Sequence, residues 1–137
     1  MSSDSPKPFH REDVEGVCTI VVGYDQLVPE TSDQLYTLAA EAIAGDTKQI
    51  VLNLANVPAI KSAAIAILLQ LQKRVREAGG ALKICRLHSE VFRLLQLTHS
   101  AELFDIHEKQ RDAVAAFLGR SEPPSETAKS WRSWFSR

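Results

Sequence analysis

The most constraining feature of this chain is the compact apolar run Ile50-Val-Leu-Asn-Leu54, followed eight residues later by Ser62 and the run Ala63-Ala-Ile-Ala-Ile-Leu-Leu69. A strand that is apolar almost throughout is one covered on both faces, which places it in the middle of a sheet. After Ser62 the pattern becomes amphipathic through Leu71 and Val75 and stops at Gly79-Gly80, as a helix with one buried stripe does. Ser62 has the residue type and the position of an N-cap. A two-sided strand feeding such a helix calls for layers of helix on sheet.

The flanking segments repeat the alternation. Val17 to Val22 is rich in β-branched residues and reads as a strand, and a second apolar step at Leu27 and Val28 after a polar turn predicts a hairpin-like opening of the sheet. With Thr31 or Ser32 as cap, Leu35, Leu38, Ala39, Ala42 and Ile43 recur at helical spacing until Gly45. Ala81 to Leu87 reads as strand, Ser89 to Leu97 as a capped helix, Leu103 to Ile106 as a short strand and Glu108 to Leu118 as a closing helix. The expected class is α/β, with a mixed sheet of four to five strands and about four helices.

A chain of 137 residues is the usual size of one domain. Three segments are expected: a flexible Ser- and Pro-rich leader over 1–13, the folded domain over 14–118, and a flexible tail over 119–137 ending in Trp131, Arg132, Trp134, Phe135 and Arg137. That aromatic and basic end reads either as incidental composition or as a segment that dips into a membrane interface or docks on a partner helix. A net charge of -1 supplies no field for nucleic acid. Because the longest apolar run, Ala63 to Leu69, is far short of a membrane span and the N-terminus lacks a secretory signal's apolar stretch, the cytoplasm is the expected compartment. Cys18 and Cys85 lie inside apolar strands and read as buried thiols. His10, His88, His99 and His107 match no metal-ligand spacing, and no nucleophile, base and oxyanion set can be assembled. Catalytic residues, metals and cofactors are therefore expected to be none.

Three ordered blocks resemble the STAS family of anti-sigma-factor antagonists. They are Ile50 to Leu69, then Arg76-Glu-Ala-Gly-Gly-Ala-Leu-Lys-Ile84, then Ser89-Glu-Val-Phe-Arg-Leu-Leu-Gln-Leu-Thr98 followed by Leu103-Phe-Asp-Ile106. The family usually reads apolar strand, Asp-Ser-Ser/Thr-Gly-Leu-Gly, then a Leu-rich helix. The resemblance implies a protein-binding switch and not an enzyme, with an anti-sigma factor or a histidine-kinase-like serine kinase as partner. It implies that Ser62 is the phosphoacceptor and that the docking surface includes Gln26, Val28, Lys61, Ser62, Ala63, Ala64 and Ile65. A phosphate on Ser62 would add close to two negative charges at the positive end of a helix, tolerated by the helix and hostile to an apolar or acidic partner surface.

The chain departs from the family at that surface. Lys61 stands where the family carries Asp, Ala64 and Ala66 stand where it carries glycine, and Asp25-Gln26-Leu27-Val28 replaces a Gly-Glu-Leu-Asp turn. Both acidic positions facing a partner are gone, which implies either a kinase with the opposite docking charge or none. Ser62 also has a plain reading as a helix cap, and Lys61 as a solvated loop charge. Without a covalent switch, the implied alternative is a STAS scaffold or a subunit of a signalling complex or lipid-transport ATPase.

Overall fold

The computed structural model describes residues 8–119, and the tail's Trp/Arg-rich end lies outside the described residues. Five strands form one mixed sheet in the order β1-β2-β3-β4-β5: Phe9–Val14, Val17–Val22, Gln49–Asn53, Ala81–Cys85 and Asp105–His107. The β1/β2 pair is antiparallel, while β2, β3, β4 and β5 run parallel. Four α-helices connect or follow them: α1 (Ser32–Ala44), α2 (Ser62–Glu77), α3 (Ser89–Leu97) and α4 (Gln110–Phe117). The expected α/β architecture is present, with β3 in the middle of the sheet.

Strand alternation divides the core in two. Ile20, Ile50, Leu52, Leu82, Ile84 and Ile106 point to one face and pack against Leu35 of α1, Leu68 and Leu71 of α2, and Phe92 and Leu95 of α3. On the opposite face Val17, Val51 and Cys85 meet Ala113 and Val114 of α4. Arg74 of α2 stacks over Tyr36 of α1 at 4.5 Å, and Lys83 of β4 over Phe117 of α4 at 4.7 Å, so each helical layer has a cation on an aromatic ring as well as apolar burial. Lys83 also pairs with Asp105, whose carboxyl is held well below the usual range by the His107 ring, with Lys83 adding to the effect.

The sheet opens differently from the sequence expectation. Phe9–Val14, assigned mostly to the leader, is an edge strand, and its hairpin with β2 turns through Glu15 (φ 52) and Gly16 (φ 83). Two positive φ values in a two-residue loop make the type I′ turn that matches strand twist. Leu27 and Val28 are not the hairpin's second strand: Leu27 is buried within a loop, and Val28 precedes a 3-10 turn over Pro29–Thr31. The strand placed at 103–106 begins at Asp105, behind a 3-10 turn over Ala101–Leu103. His99, read as a helix-terminal or loop residue, follows the α3 C-cap Thr98 with φ 58, the left-handed position where glycine is common.

Candidate docking site

Because β2 to β5 are parallel, the loops leaving them all emerge at one edge of the sheet, where the N-termini of α1 to α4 also begin. Open parallel sheets place their binding regions along that edge. The loop leaving β2 carries Gln26 and Val28, both half-buried, and Thr31 fixes it by donating its hydroxyl to the Gln26 carbonyl. The turn over Pro29–Thr31 then packs against α2. Gln26 and Val28 are thereby brought to the edge that bears Ser62.

Ser62 opens α2 as its first helical residue, one position later than an N-cap; the cap is Lys61, extended at φ -101 and ψ 167, and its side chain makes no capping bond. Lys61, Ser62 and Ala63 are exposed. The Ser62 hydroxyl has no hydrogen-bond partner among the described residues, unlike Ser32, which donates to the Pro29 carbonyl, and Thr98, which donates to that of Leu94. No acidic residue occupies the first turn of α2. Among the described residues the site therefore presents a free hydroxyl, a neighbouring unpaired ammonium and the Ser62 and Ala63 amides of an uncapped helix start, the Ala64 amide being bonded to the Lys61 carbonyl.

Two residues of the expected docking surface do not reach it. Ala64 is 1% exposed and Ile65 7%, because the buried stripe of α2 through Leu68, Leu71 and Val75 projects back onto them. Ala66, one step further, is exposed instead.

Three residues at this edge escaped the sequence reading. Tyr24, in the loop leaving β2, is 72% exposed, a large aromatic held out to solvent. Asn53, the last residue of β3, accepts the Ala55 amide at 2.8 Å through Oδ1 and donates Nδ2 to Gln110 Oε1 of α4 at 2.9 Å. His88, ahead of α3, places Nε2 2.6 Å from the Ala55 carbonyl. A carbonyl oxygen only accepts, so that ring nitrogen donates. Tyr24 follows a strand by two residues and carried a legible signal as an aromatic in a polar turn, whereas the other two depend on partners 57 and 33 positions away.

Neither cysteine is activated. The buried Cys85 thiol is pushed up to about 12, and Cys18 is also raised by burial, so neither is a ready nucleophile. Among the described residues no group of three or more His, Cys, Asp or Glu could hold a metal ion, and no helix is long and apolar enough to cross a membrane.

A five-stranded mixed sheet with three helices on one face and one on the other, and the loop that leads into α2 at its carboxyl edge, defines a small α/β module. The STAS domain family model matches residues 12–113, and the chain belongs to that family. No curated protein matches it. The fold is similar to that of protein TM1081 of Thermotoga maritima (19% identity over 79% of this chain and 92% of that one, TM-score 0.69). It is similar also to an anti-sigma factor antagonist of Mycobacterium paratuberculosis (20% identity, 85% and 97%, TM-score 0.66). A third likeness is to the anti-sigma factor antagonist SpoIIAA in its unphosphorylated form (15% identity, 83% and 99%, TM-score 0.66).

Proposed function

We propose that this chain is a regulatory binding module that docks on an anti-sigma factor or a histidine-kinase-like serine kinase through the edge formed by Gln26, Val28, Lys61, Ser62 and Ala63. The observation that carries the reading is the exposed, unbonded hydroxyl of Ser62 at the first position of α2. Phosphorylation there is the proposed off signal: the Ser62 oxygen takes the γ-phosphoryl group of ATP, its proton passes to a base on the kinase, and ADP leaves. The phosphate would sit beside Lys61 and the free amides of α2, so the module's own fold tolerates it while an apolar partner surface does not. Tyr24 adds an aromatic anchor, since exposed aromatics supply much of the energy of docking surfaces.

The local chemistry supports a site shaped by function more than by stability. A lysine at an N-cap, next to a helix start with no acidic residue, is a poor choice for the helix itself. Such violations of local rules are expected where binding sets the residue. Lys61 also favours a second reading, a STAS scaffold or a subunit of a signalling complex or lipid-transport ATPase, because it leaves the family's acidic position without a carboxylate.

Intact-mass analysis of the protein from its native host separates the two. One added phosphate mapped to Ser62 supports the switch, and its persistent absence across growth conditions supports the scaffold.

A further inference from the structure

The backbone of Ala55 is gripped at both its N–H and its carbonyl. Its N–H is taken by Asn53 Oδ1 at 2.8 Å and its carbonyl by His88 Nε2 at 2.6 Å, and the same Asn53 amide group donates to Gln110 at the start of α4. The neighbouring backbone adds Leu54 N to the Cys85 carbonyl at 3.0 Å and Val57 N to the Leu54 carbonyl at 3.0 Å. One residue before the Leu87-His88 step, Arg86 adopts φ 61, a left-handed conformation uncommon for a long side chain, and its amide bonds the Glu108 carbonyl ahead of α4. Side chains from β3 and the β4–α3 turn thus meet on the first residues of the loop that leads to Ser62, and Gln110 of α4 holds the β3 side chain from behind.

The geometry points to Asn53, His88 and Gln110 as positioning residues: together they form a latch that sets the pose of the loop over residues 55–61 and ties it to α4, on the far face of the sheet. This rests on the reading of the Ser62 edge as the docking surface, because a positioned loop matters only where something docks. Asn53 fills both of its roles with one amide, its oxygen to the loop and its nitrogen to α4, so replacing it cuts the loop and the helix free at once.

Amide hydrogen exchange in deuterium oxide on the full chain tests this without a partner. Val57 is the reporter, since its hydrogen bond goes to Leu54 and is untouched by either substitution, and Ile84 in the sheet reports global opening. The latch predicts that His88→Ala and Gln110→Ala raise Val57 exchange roughly five- to tenfold relative to Ile84, the loss expected of one hydrogen bond. His88→Gln, which keeps a donor at similar reach, should restore the wild-type ratio. Equal exchange ratios in wild type and both alanine variants, or a His88→Ala effect that Gln fails to rescue, overturns the latch. Either result is read on the isolated chain, so it stands apart from whether Ser62 ever carries a phosphate.

Discussion

Lys61→Asp changes one exposed side chain at the start of α2 and works through two separable effects. Residue 61 already has the extended backbone of an N-cap, and its present side chain caps nothing. An aspartate oxygen there can accept the amide of Ala63, since that of Ala64 already donates to the residue-61 carbonyl, a gain of about 1 kcal/mol for a cap in place of a non-capping residue. Replacing a cation with an anion at the positive end of the helix adds about 0.3–1 kcal/mol at low salt. Lys61 has no ion-pair partner among the described residues to lose, so the sum is a stabilisation of about 1–2 kcal/mol. Urea denaturation should show a higher midpoint at an unchanged slope, because the surface exposed on unfolding is the same. Lys61→Ala should deliver only part of the electrostatic share, and high salt should erode that share while leaving the cap. A midpoint that stays put or falls in Lys61→Asp refutes the reasoning, for it would mean that the lysine is engaged in the native structure or that the first turn is already satisfied.

Other outcomes follow from features away from the proposed docking edge. Gly80→Ala should cost more than about 2 kcal/mol in the same assay, because a Cβ there would lie 2.3 Å from the Lys48 carbonyl oxygen, which a rigid backbone cannot yield cheaply. Asp105 has its carboxyl depressed by His107 and then by Lys83, so its stabilising effect is fully present above the ordinary carboxylate pKa of about 4 and is lost as pH falls below it. Asp105→Asn should therefore lower stability at neutral pH and flatten its decline in acid, modestly, since the group is half-exposed; parallel pH profiles for the two proteins would count against it. Cys85 is fully buried with its thiol pushed up to about 12, so the native chain should resist a thiol-alkylating reagent at mildly alkaline pH and react on unfolding. Fast labelling of Cys85 in the folded protein would contradict that burial.

The parts of the fold legible in the sequence are those with strong periodicity. Val17–Val22 and the helix from Ser62 carry their own signals, β-branched density in one and a stripe of Leu68, Leu71 and Val75 in the other. β1 does not, because its His10-Arg11-Glu12-Asp13 stretch is polar on both faces and only the backbone needs to pair. Charged residues are how edge strands are kept from pairing further, so the property that hides β1 is the one that suits its place. The Gly16 between Val14 and Val17 was the available clue. At the proposed docking edge, the resemblance singles out Ser62, and its exposure is legible from its place at the helix start. The burial of Ala64 and Ile65 was also legible, by projecting the stripe back from Leu68. The Asn53, His88 and Gln110 contacts were not, since they depend on three chain segments meeting in space and leave no local pattern.

Affinity for a purified anti-sigma factor or serine kinase from the same cell, measured for wild type, Ser62→Ala and Ser62→Asp, tests the central claim most directly. The account predicts that wild type and Ser62→Ala bind alike, while the carboxylate weakens the complex by about 2 kcal/mol or more, roughly thirtyfold, with no loss of fold stability. Equal affinity for all three proteins would contradict it, because a charge placed at the heart of a docking surface cannot go unnoticed.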